Sequence, residues 1–190
     1  MDIKEIYSKI AERMIQGMMF HDQMANYYDF LGLEGYKRCH EYHFMKETCA
    51  YRGVSRYFIN HHDMLIPEPV FNNESAIPES WYSHVRSDVD ASTKKNAVKT
   101  ALTKWMEWET DTKRLYEDMY KEALEADEVA SAFKIECLVK DVDKELKSVE
   151  RYWLNKEAIN YDLSAIIAEQ KRKHKKYQCK MEKELHVTIC

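Results

Sequence analysis

Glu47 stands in the run Lys46-Glu47-Thr48-Cys49-Ala50, at mid-helix by its surroundings and on the inward side of a long helix. An inward carboxylate can ligate a metal ion or pair with a buried cation. Three residues later, where a metal-binding helix would offer a histidine on the same face, the chain has Ala50. Other histidines are available. His40 and His43 lie three apart on the same segment and could bind a metal, and His61-His62-Asp63 offers a similar group near its end. A histidine pair without a third inward ligand is more often surface chemistry. His21, on the apolar stripe of the preceding segment, is expected to pack or hydrogen-bond in the core.

Further candidates carry less. The run KRKHKKYQCK (171–180) could meet nucleic acid or an acidic surface. Glu169, Glu182 and Glu184 balance it, and it lacks the aromatic interleaving of single-strand binders, so a solvated helix face is expected. Thirteen tyrosines and four tryptophans could relay electrons but read as packing. There is no glycine-rich phosphate loop and no Ser/His/Asp arrangement.

The elements that must position these residues are helices. Hydrophobic residues are 45% and charged residues 33% of the 190, with only four glycines and three prolines, so one domain of long helices is expected. A net charge of −4 gives no general pull toward nucleic acid or a membrane surface. Five scattered cysteines without a CxxC pair read as reduced thiols. No apolar run reaches membrane-spanning length, and MDIKEIYSKI lacks a signal-peptide core, so a soluble cytoplasmic protein is expected. The sequon Asn73-Glu74-Ser75 then reads as chance.

All three prolines (Pro67, Pro69, Pro78) fall within twelve residues, so 63–88 is expected to be an irregular connection. Before it, Ile3, Ile6, Ile10, Met14, Gly17 and His21 mark one face of a helix over about 2–30. The turn Leu31-Gly32-Leu33-Glu34-Gly35 follows, and a second helix runs to about His62. Asp90 begins a third helix to about 125, with Trp105, Trp108, Thr112, Leu115 and Met119 inward. A joint at Ala126-Asp127-Glu128 leads to a fourth, with Phe133, Leu138, Val142, Glu145, Val149 and Tyr152 or Trp153 inward. A charged fifth segment covers about 162–186. Two helical hairpins joined by one long crossover make a four-helix bundle. Trp81, Tyr82 and Tyr36 are expected to be exposed and to favour a homo-oligomer, at least a dimer.

The stretch HDQMANYYDFLGLEGYKRCHEYHFMKE (21–47) resembles the non-haem ferritins, bacterial ones in particular, most specifically in its GLEGY turn. With the crossover and the next two helices, the resemblance extends over about residues 3–155. It implies an all-α fold: a ferritin-like four-helix bundle (1–160) with one long crossover between its second and third helices, followed by an extra C-terminal charged helical tail (161–190). It also makes Glu47 the counterpart of the glutamate that bridges a di-iron ferroxidase centre. In the same register the family's first-helix glutamate falls on Met14, and its histidine on Ala50. Glu12, about 200° around the helix, cannot substitute. The family's remaining ligands imply Glu109, unless Trp108 takes the inward place, and Glu145. Other carboxylates of the wider family site correspond to Lys46 and Lys144.

The resemblance therefore implies an iron-handling, storage-type protein with an incomplete di-iron centre. It would hold at most one partial iron site, at Glu47, Glu109 and Glu145, and have no efficient ferroxidase activity. Oxidation at a paired site needs two metals bridged by a carboxylate. The alternative is a metal-free ferritin-like scaffold or interaction protein, its acids neutralised by Lys46 or Lys144. Metal ions and other copies of the chain are the expected partners, rather than nucleic acid or membrane.

Overall fold

A computed structural model of the chain describes residues 1–67, 77, 81 and 84–188, with side chains through Lys183. The helices are α1 (Ile3–Phe30), α2 (Glu34–His62), α3 (Ala91–Glu125), α4 (Val129–Ala158) and α5 (Leu163–Thr188), and no strand occurs among the described residues. Most of the expected 63–88 connection, with Pro69, Pro78, Tyr82 and the sequon, lies outside the described residues, as does Cys190. Arg86–Asp88 forms one 3-10 turn before α3.

Local chemistry sets the ends. Asp2 and Glu5 form a reciprocal capping box on α1, and Asp90 caps α3 by accepting the Thr93 N–H at 2.6 Å. Gly32, at φ +69°, turns the chain between α1 and α2, a conformation that costs glycine nothing. At the joint between α3 and α4, Asp127 takes the left-handed conformation.

The pairs α1–α2 and α3–α4 pack as hairpins, with α1 also against α3. Two apolar clusters fill the bundle. One gathers Phe20, Met24, Tyr28, Leu102, Trp105 and Val149, and the other Ile6, Ile10, Met14, Phe58, Met119 and Ile135. Between them, at the level of Gly17, Glu47, Glu109 and Thr112, the core turns polar.

Burial corrects several expected positions. Phe133 is 63% exposed, because Ser131, Ala132 and Ile135 take the inward places and Phe133 lies about 200° around the helix from Ile135. Trp108 is only half-buried, whereas Glu109 is 2% exposed. Tyr36, expected on the surface, is 1% exposed and stacks on Tyr28 at 5.1 Å. Trp81 is half-buried and packs edge-on to Tyr27 at 5.0 Å.

The basic segment is not simply a solvated face. α5 docks on α2, placing Ile166 and Tyr177 in the core, and Lys173 is 3% exposed. The Lys173 ammonium lies 3.3 Å from the centre of the Tyr152 ring and 4.3 Å from that of Tyr36, a cation–π cage. Glu169 accepts a hydrogen bond from buried Lys156 and stands 3.8 Å from Lys173. Burial pulls the Lys173 amine down to about 7. Gly35 makes the approach of α5 possible, since a methyl group there would collide with the Gln170 backbone, 2.7 Å from its carbonyl carbon.

Candidate metal centre

Glu47 enters the bundle because α1 offers no side chain opposite it. A Cβ added at Gly17 would stand 3.2 Å from Glu47 Cδ and 3.4 Å from Oε2. Across from this pair, α3 presents Trp105, Glu109, Thr112 and Tyr116 at three- and four-residue spacing, all buried. Trp105 donates its indole N–H to Glu109 Oε1 at 2.8 Å. Arg13 closes the α1–α3 side. Its Nε donates to Thr112 Oγ1 at 2.8 Å and its Nη2 to the Trp108 carbonyl at 2.9 Å, with the guanidinium 3.4 Å above the Trp108 ring.

The electrostatics raise both acids well above the ordinary carboxylate range. Burial first, and then the neighbouring Glu109 charge, push Glu47 up to about 8 against the relief offered by Lys46 and Arg13. Burial likewise raises Glu109 to about 7, opposed by the Trp105 hydrogen bond and the same two cations.

Glu145 is engaged otherwise. Lys46 donates directly to its Oε1, and His43 Nδ1 stands 3.8 Å from the same oxygen. Lys144 takes no part, pairing instead with Asp141 at 2.9 Å on the exposed face of α4. Met14 and Ala50 lie in the second apolar cluster, Met14 fully buried. Glu12 accepts from Gln16 at 3.1 Å.

A di-iron pair does not fit this donor set. Met14 and Ala50, the positions that the resemblance would make ligands, offer a thioether and a methyl group, Glu145 is claimed by an ammonium, and Arg13 and Lys46 already supply positive charge. Among the described residues no three His, Cys, Asp or Glu side chains are grouped so as to hold a metal ion.

The histidines depart most from expectation. His40 and His43, expected at the surface, are buried, and His21 joins them. They face α1 and α3 because Trp105 lies across them, its ring centre 4.6 Å from that of His40 and 5.1 Å from that of His43. The signal in the sequence was His21 itself, an imidazole on an apolar stripe with nothing nearby in sequence to bond. His62 reaches Ser131 Oγ at 3.1 Å and His61 stacks on Tyr57 at 3.9 Å, both at the far end of α2.

Two solved structures share this architecture. A humanized archaeal ferritin superposes with a TM-score of 0.74 at 15% identity, over 90% of this chain and 94% of its own. An Archaeoglobus fulgidus ferritin engineered into a closed form superposes with a TM-score of 0.74 at 14% identity, over 92% and 96%. The fold is ferritin-like. No family model matches the chain, and no curated protein matches it. In the ferritin-like bundle α5 is the extra helix, and no described helix is long and apolar enough to cross a membrane.

The carboxyl pair gives a pH prediction. Each acid titrates higher folded (about 8 and about 7) than its ordinary 4.5. The folded state therefore holds more protons between those values, and each acid's contribution to stability falls as pH rises from about 4.5 to about 8. Glu47→Gln removes one such group. Its stability relative to the native chain should climb from pH 5 to pH 8, with a slope of at most about 1.4 kcal/mol per pH unit, and its melting temperature should rise with it. Parallel thermal melts across that range check it, and a pH-independent difference would show that Glu47 is ionised in the fold.

Proposed function

We propose that this chain is a ferritin-like protein of the iron-handling type that has given up paired-metal oxidation. Glu47 and Glu109 remain as a residual site, able to exchange their protons for at most one divalent cation. The Lys46 ammonium on Glu145 carries this reading, because it occupies the carboxylate that a second metal would need. Resemblance to bacterial non-haem ferritins supports the iron assignment through the residues at 21–47, and it supports a cytoplasmic homo-oligomer as the working form.

A second reading, a metal-free scaffold or interaction protein, is favoured by one observation. The described residues offer no three-ligand group, burial raises Glu47 and Glu109 toward their protonated forms, and Lys46 holds Glu145.

Ferrous iron under anaerobic conditions separates the two. The iron-handling reading expects binding of no more than one ion per chain, proton release on binding, and loss of both in Glu47→Gln and Glu109→Gln. Admitting oxygen should then give only slow oxidation. Absence of binding would establish the scaffold reading, and fast oxidation abolished by Glu47→Ala would overturn both. Light scattering on the same sample should give a mass above the 22.7 kDa chain; a monomer would remove the oligomer from the proposal.

A further inference from the structure

α5 has two faces of opposite kind. Its inner side places Ile166, Lys173 and Tyr177 in the bundle. Its outer side exposes Lys171, Arg172, Lys175 and Lys176. At 3.6 residues per turn these four fall within about 140° of the helix circumference and about 7.5 Å of its length. Exposed Lys183 continues the ridge two turns on. Between Ala165 and Met181 the one acid is Glu169, and it turns to Lys156 and Lys173. The ion pairs that α5 makes among the described residues run through Glu169 and His174, so the four outer cations have no carboxylate partner there.

Other helices treat their surface cations differently. On α3 and α4, Lys104, Arg114, Lys121, Lys140 and Lys144 each stand 2.7–3.8 Å from a carboxylate three or four residues away. On α5 the one-turn neighbours are instead alike, Lys171 with Lys175 and Arg172 with Lys176, and like charges at that spacing destabilise a helix. Neither packing nor helix stability accounts for the ridge. The net charge of −4 for the whole chain conceals it, because the positive charge is local.

We propose that the outer face of α5 is a docking surface for the phosphate backbone of duplex nucleic acid. Lysine and arginine heads suffice for that ligand, and such binding needs no contact with the bases. Other polyanions fit the face less well. A helix lying on a membrane sinks its apolar side into the lipid, whereas that side of α5 is already committed to the bundle. An acidic protein surface calls for apolar anchors at the centre of the contact, and the side chains standing among the four cations are only Ala168 and Cys179. Single strands are held by stacking on accessible aromatics, and Tyr177, the aromatic of this run, is buried. A duplex carries one phosphate per about 1.7 Å of axis, so a fixed row of cations meets several at once. Lys156, Glu169 and Lys173 supply the fixity by pinning the opposite side of the helix.

Fluorescence anisotropy of a labelled random-sequence DNA duplex, titrated with the full chain, tests this. Binding should be independent of sequence, and raising salt from about 50 to about 200 mM should weaken it roughly 100-fold, as about four phosphate contacts require. Lys171→Gln, Arg172→Gln, Lys175→Gln and Lys176→Gln combined should weaken binding at least about 10-fold at the lower salt and flatten its salt dependence. Circular dichroism should show native helicity in that variant, since all four residues are exposed. Glutamine at Lys104, Lys121, Lys140 and Lys144, whose charges are already paired, should leave binding intact. No binding at the lower salt, or binding that survives in the folded α5 variant, overturns the proposal. So does a preference for phosphatidylserine vesicles or for polyglutamate over the duplex at equal salt, which would assign the face to a membrane or to an acidic protein.

Discussion

The variant Met14→Glu, Ala50→His, Lys46→Glu is expected to bind ferrous iron at least about 10–100-fold more tightly than the native chain, a gain on the scale of losing even an outer-shell partner at other metal sites. It is also expected to oxidise that iron when oxygen is admitted. Met14 and Ala50 sit within the apolar cluster below Glu47, so the new carboxylate and imidazole enter the polar layer from that side. Replacing Lys46 releases Glu145 from its ion pair and removes a cation acting on both Glu47 and Glu109. Before solvent screening, that cation would repel a metal by about 4 kcal/mol per unit of metal charge at a separation of about 4 Å and an effective dielectric near 20. Without metal the same variant should melt lower, because Met14 is fully buried and a new acid there lacks a partner. The roughly 1–3 kcal/mol lost should return on adding iron. Stopped-flow oxidation and metal-dependent melts check both parts. A variant that binds iron tightly without oxidising it would show that ligand identity alone does not restore the chemistry.

Gly35→Ala is expected to dislodge α5. The added methyl would meet backbone atoms of Gln170, the α-carbon at 2.8 Å among them, and neither helix can yield by rotating a side chain. Overpacking of this kind costs about 1–3 kcal/mol or more. The loss should fall on the docking of α5, seen as protease cleavage within 159–183 well below the global melting temperature. Gly53→Ala is the matched control. It lies in the same helix with open space around it, so it should stabilise α2 by about 0.5–1 kcal/mol.

The helices and their order were legible in the sequence because the three- and four-residue stripes are long and the breakers are concentrated. The inward place on α3 was not legible. Trp108 and Glu109 are adjacent, and apolarity favours the tryptophan. The structure chooses the acid because Trp105, one turn earlier, donates to it, while Arg13 covers the Trp108 ring from α1. For His40 and His43 the missing knowledge was which face of α2 meets α3, a fact that depends on Trp105, some sixty residues away. The burial of Lys173 is not legible in the sequence for a similar reason. A run of five cations among seven residues reads as solvated until Tyr36 and Tyr152, from two other helices, are seen to enclose one of them.

The group formed by Lys156, Glu169 and Lys173 bears on alignment as well as stability. An apolar helix lying in an apolar groove can slip by one turn, about 5.4 Å, and still bury comparable surface. α5 has no such latitude. A slip would carry Glu169 away from Lys156 and draw the Lys173 side chain out from between its two tyrosine rings, separating buried polar groups from their partners. The extra helix is thereby held to one register on the bundle, and sequence changes along its apolar side can accumulate without shifting where it rests.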